Sequence, residues 1–236
     1  MTRSSTFFLL ILSLITGALA SGCARRSFQG RALAPAALAA HRTVAILPFA
    51  VELERLRDAV AHPGAWAAGA TWPGGNLLQG ALAAERRQMG YQLQAALQAE
   101  LMRQQAQRPS TSAFQSPAET NQRLARAGIT YESLPTRSMA ELRAALGVDA
   151  VLTGQTYMRQ LLPGGVSIAV FVLSNNNANP MADNAVQTYL DIYDAQDGRL
   201  VWQFDHELRG KPSTSPVALA RALAHDMKGG FPYAQK

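Results

Sequence analysis

The chain has 236 residues, 48% of them hydrophobic, one cysteine and a formal net charge of +6. So apolar a chain is not a disordered one, and a lone cysteine excludes a disulfide framework. The basic residues are scattered, with Arg25-Arg26 and Arg86-Arg87 as the only doublets and no basic stripe interleaved with aromatics, so no nucleic-acid partner is expected.

The first 22 residues read as a secretory signal peptide. Arg3 supplies the positive start, 7–15 (FFLLILSLI) the apolar run and 16–22 the small-residue zone, in the order export requires. The run is too short to span a bilayer, which takes about 20 apolar residues. Ala20-Ser21-Gly22-Cys23 resembles the lipobox of bacterial lipoproteins, with Leu19 one place further upstream than the usual lipobox leucine. That resemblance implies cleavage before Cys23 and lipidation of its sulfur and amine, a stable membrane anchor. It also implies that no thiol remains for a disulfide, a metal or a nucleophilic role. With Ala rather than Asp at position 24, similarity to enteric-type lipoproteins implies the outer membrane, facing the periplasm.

Residues 23–41 are Ala-rich, contain Pro35 and lack sustained periodicity, and are expected to form a lipidated tether to a domain over 42–236. Arg25, Arg26 and Arg31 lie beside the anchor, within reach of anionic headgroups. TVAILPFAV (43–51) reads as a buried strand and VELERLRDAV (51–60) as a short helix. The Gly/Pro-rich stretch 61–76 carries Trp66 and Trp72, which either fold back on the core or meet a partner.

Leu82, Met89, Leu93, Leu97 and Leu101 predict a long amphipathic helix from an Asn76 cap to about Gln105, with Gln92, Gln94, Gln98 and Arg103 mostly on its other faces. A weaker helix is expected over 117–128, and Ser138 and Glu141 predict a capping box opening a helix that stops at Gly147. Strands follow over 147–158, 165–174, 185–194 and 199–208, divided by a Pro-Gly-Gly turn, an Asn-rich loop over 174–184 and an Ala-Gln-Asp-Gly turn. A last helix begins after Ser215 and ends at Gly229-Gly230. The expected fold is α/β (α+β): a single mixed, largely antiparallel sheet with helices packed on it.

VAILPFA, LGVDAVLTGQ and LDIYDAQDGRLVWQF resemble the superfamily that includes the TolB N-terminal domain, the curli secretion channel lipoprotein and lipoprotein activators of peptidoglycan synthases. The resemblance implies a periplasmic α/β domain and carries over no catalytic residue.

Direct search for chemistry agrees. His41, His62, His206 and His225 have no zinc-ligand spacing, and solvated or structural roles are expected for them. On a helix His225 and its neighbour Asp226 should point apart. Asp191, Asp194 and Asp197 fail the spacing of a calcium loop and read as a solvated hairpin turn. No nucleophile elbow, P-loop or dinucleotide fingerprint occurs, and no cofactor or metal is expected.

The expected function is that of a non-catalytic, lipid-anchored accessory or scaffold protein binding an envelope machine for secretion, transport or cell-wall assembly. Two alternatives stand beside it: an oligomeric export-channel subunit exposing 165–193 to lipid, and a periplasmic hydrolase with a pocket at His206 or His225. Alternation places Gln187, Tyr189, Asp191 and Tyr193 on one outward face. Tyr189 and Tyr193, with Trp66 and Trp72, are the candidate contacts for an envelope protein, unless the helix over 117–128 covers the tyrosines.

Overall fold

A computed structural model describes residues 25–55, 75–107, 110, 112–160, 184–210 and 215–233. Its elements in chain order are β1 (Arg25–Ala32), α1 (Pro35–Ala40), β2 (Thr43–Ile46), β3 (Ala50–Arg55), α2 (Gly75–Gln107), β4 (Ala113–Phe114) and α3 (Pro117–Arg126). A 3-10 turn (Leu134–Thr136) then leads to α4 (Met139–Leu146), β5 (Ala150–Gln160), β6 (Asn184–Asp194), β7 (Leu200–Gly210) and α5 (Pro216–Met227). The strands form one seven-stranded sheet in the order β1-β7-β6-β5-β2-β4, with β3 also paired to β5. β1, β7, β6 and β5 pair antiparallel with one another in that order, whereas β2 and β3 are parallel to β5. The expected fold class, a single mixed sheet with helices packed on it, is the fold observed.

Local signals set the element ends. Ser138 Oγ accepts the Glu141 amide at 3.2 Å while the Glu141 carboxylate accepts the Ser138 amide at 2.8 Å, closing the capping box of α4. Gly147 then ends the helix at φ +63°, a left-handed conformation that costs glycine nothing.

Helices α2 and α5 cover one face of the sheet. Leu93, Leu97 and Leu101 of α2 and Leu219, Leu223 and Met227 of α5 pack with Phe49, Leu190, Ile192, Trp202 and Phe204, all buried. Each such side chain contributes about 1.5–3 kcal/mol by leaving water. On the opposite face α3 and α4 cover only the β2 end, where Leu124, Leu142 and Leu146 enclose Ala45, Leu47 and Val151.

Three expectations are corrected. Residues 51–55 extend β3 instead of starting a helix: Val51 is buried, Leu53 half-buried against the core and Glu52 exposed, a period of two that fits a strand. The stretch read as a tether is ordered from Arg25, as edge strand β1 on β7 followed by α1. All eight β1 residues are exposed, so the strand carries no hydrophobic signature; its ladder on β7 and the Arg26–Asp226 ion pair hold it. Gln94 and Gln98, expected mostly off the packed face, are buried and donate to the Ile46 carbonyl at 2.7 Å and the Gln115 carbonyl at 3.0 Å. Cys23, residues 56–74 with Trp66 and Trp72, the strand expected over 165–174 and nearly all of the Asn-rich loop lie outside the described residues.

Candidate functional site

The sheet face turned away from α2 and α5 continues past α3 and α4 as a polar surface that no described helix covers. Its register is fixed rung by rung. One rung runs Thr153, Asp191, Gln203, Arg31; the next runs Ala50, Gln155, Tyr189, Asp205, Gln29; a third runs Glu52, Tyr157, Gln187, Glu207, Ser27. Residues paired across neighbouring strands share a face, so the sheet gathers these side chains from five strands. The alternate residues Thr156, Thr188, Leu190 and Ile192 are buried beneath α2 and α5.

The outward set expected from alternation, Gln187, Tyr189, Asp191 and Tyr193, is therefore one face. The helix over 117–128 does not roof it, because α3 packs against α4 and β2. Tyr157 joins the site unannounced by the sequence reading: its ring meets that of Tyr189 edge to face, centroids 6.2 Å apart and planes at 82°. Only the pairing of β5 with β6 places these two rings together. Tyr157 is 39% exposed, and Tyr189 and Tyr193 are half-buried among their neighbours.

Electrostatics mark the centre of the face. Asp191 and Asp205 stand on adjacent rungs of β6 and β7. Burial, reinforced by the Asp205 charge, raises the Asp191 pKa above the ordinary carboxylate value. Burial and the Asp191 charge likewise raise the Tyr193 pKa, so this phenol stays a neutral donor. A patch of tyrosine hydroxyls, amides and carboxylates offers both donors and acceptors, with rings between them.

The other acids of the hairpin are structural. Asp194 Oδ1 accepts the Gln196 amide at 2.7 Å and Asp197 Oδ1 the Arg199 amide at 2.9 Å, while Gly198 closes the turn at φ +73°. His41 is buried between Tyr233 Oη at 2.8 Å and Asp194 Oδ2 at 3.3 Å. His206 is buried against Asp226, and His62 lies outside the described residues. His225 does reach Asp226, Nδ1 to Oδ1 at 2.9 Å, against the expectation for adjacent helical residues. Among the described residues no group of three or more His, Cys, Asp or Glu could hold a metal ion, and no helix is long and apolar enough to cross a membrane.

No protein-family model and no curated protein matches the chain. Several solved structures overlap with it loosely, among them the following three. The PelC dodecamer from Paraburkholderia phytofirmans is similar at a TM-score of 0.30 and 11% identity, over 91% of this chain and 99% of that one. Lipoprotein GNA1162 from Neisseria meningitidis gives 0.36 and 12%, over 80% and 99%. The LpoB C-terminal domain from Salmonella enterica gives 0.27 and 10%, over 70% and 80%. Superpositions this loose assign neither a family nor a function.

Proposed function

We propose that this chain is a lipid-anchored accessory protein of the bacterial envelope, without catalytic chemistry, that binds a partner protein through the uncovered face of its sheet. The observation that carries the reading is the edge-to-face pair Tyr157–Tyr189 on a polar face that no described helix covers. Tyrosines among polar groups are characteristic anchors at interfaces, because the ring buries apolar area while the hydroxyl keeps a hydrogen bond. From strand geometry the face measures about 24 Å across and about 20 Å along the strands, roughly 500 Å². That is one partner's share of a small, transient interface. The lipobox-like Ala20-Ser21-Gly22-Cys23 supports residence on a membrane, with the domain in the periplasm and the acyl chains in the outer membrane.

Photocrosslinking residues at positions 189 and 193 in cells test the partner. Capture of one specific envelope protein is the expected result; intramolecular products alone, in a normally folded chain, would overturn the assignment of this face. Palmitate labelling that disappears in Cys23→Ser is expected for the anchor, and persistent labelling in that variant would refute it.

A further inference from the structure

The register of β1 creates a feature at one end of the sheet that no short stretch of sequence contains. Arg25 stands opposite Arg209, Arg209 opposite Ala185, and Ala185 opposite Arg159. The three arginines therefore occupy one terminal rung on one face, all exposed, within about 15 Å at the usual strand spacing. Arg55 takes the next register position along β3, opposite Gln160. Among the described residues, Glu207 Oε1 accepts Arg209 Nε at 2.6 Å, and Glu54 holds the register position opposite Arg159. Arg26 points to the other face and is held by Asp226 at 2.9 Å.

Like charges directly opposite on adjacent strands repel, so the Arg25–Arg209 rung is relieved by an anionic surface. The chain also shows where such a surface would stand. Arg25 is two residues from Cys23, and because β1 is ordered from Arg25 onward, no long tether separates a lipid at Cys23 from this rung.

We propose that this end of the sheet, through Arg25, Arg159 and Arg209, rests on the anionic headgroups of the membrane that carries the acyl chains. The inference builds on lipidation at Cys23. It sets the strands along the membrane normal, with Tyr189 about 13 Å above the arginine rung and the tyrosine face turned sideways, open to a partner standing on the same membrane.

The test uses the mature chain from residue 23 with Cys23→Ser, which removes the acyl chains and keeps every described residue. Flotation compares vesicles of phosphatidylcholine alone with vesicles containing about one third phosphatidylglycerol. Binding is expected to the anionic vesicles only and to weaken with added salt. Each Arg→Gln change at 25, 159 or 209 should weaken it roughly fivefold, and the triple variant about a hundredfold. Arg→Gln at 42, 143 and 199, all at the opposite end, should leave it unchanged. Equal binding to both vesicles, undiminished binding by the terminal-rung variant, or an equal loss in the opposite-end variant would overturn the proposal. Palmitate labelling of the unsubstituted chain reads the anchor separately. Labelling without anionic preference sinks the docking surface alone, and anionic preference without labelling sinks the anchor alone.

Discussion

His206 of β7 and Asp226 of α5 meet at 2.9 Å with side chains 0% and 2% exposed, and the same carboxylate accepts Arg26 Nη1 of β1 at 2.9 Å. One buried acid thus fastens the edge strand nearest Cys23 to the helical layer. With Nε2 against the carboxylate, His206 donates from that nitrogen, and its buried Nδ1 has no partner.

Asp226→Ala should cost about 3 kcal/mol, because it strands the buried His206 donor without its acceptor. Arg26→Gln should cost less, since Arg26 is 46% exposed and regains water. Urea unfolding measures both. Amide exchange over 25–32 should accelerate in Asp226→Ala beyond what the global loss explains, and exchange unchanged there would show that the acid does not hold β1.

Stability should fall on acidification in two stages. Burial holds the His206 pKa below its ordinary 6.5, so between 6.5 and the lowered value the unfolded chain binds more protons and folding weakens as pH drops. The Asp226 pKa is also lowered: burial works against this but is outweighed by hydrogen bonds from His225, His206 and Arg26. Its contribution is therefore lost further down, as pH falls from 3.8 through the lowered value. His206→Gln should flatten the first stage in a pH series of denaturation midpoints.

Asp191 carries the opposite sign. Its pKa is raised by burial and then by Asp205, so its charged form opposes folding, and stability is lost as pH rises from 3.8 through the raised value. Asp191→Asn should raise the denaturation midpoint at pH 7 and change it little near pH 3. Equal effects at both pH values would mean that packing, not charge, is responsible.

Gly90 sits where α2 presses on β3, and a Cβ there would lie within 2.8 Å of the Tyr131 ring and closer still to the Phe49 carbonyl. Alanine would favour the helix by about 1 kcal/mol, but overpacking costs about 1–3 kcal/mol. Backbone cannot yield as a flexible side chain can, so Gly90→Ala should destabilise by about 1–2 kcal/mol in chemical denaturation. Stabilisation by that substitution would show that α2 can slide on the sheet.

What the sequence determined by itself was carried by neighbours a few residues apart. The leucine stripe of α2, the Ser138–Glu141 box, the Gly147 stop and the alternation of Gln187, Tyr189, Asp191 and Tyr193 are local patterns, and each was legible. The 51–55 strand is not legible, because a five-residue run of alternating character is too short to outweigh the helix-like VELERLRDAV around it. Strand β1 was invisible, since all its residues are exposed and an edge strand without an apolar face leaves no period to find. Only the tertiary structure decided that Arg25 meets Arg209, that Tyr157 meets Tyr189 and that Asp226 closes on both His206 and Arg26. These contacts depend on strand register and helix docking across tens to hundreds of residues, and the hydrogen bonds that set a register are backbone groups, the same at every position and so absent from side-chain identity.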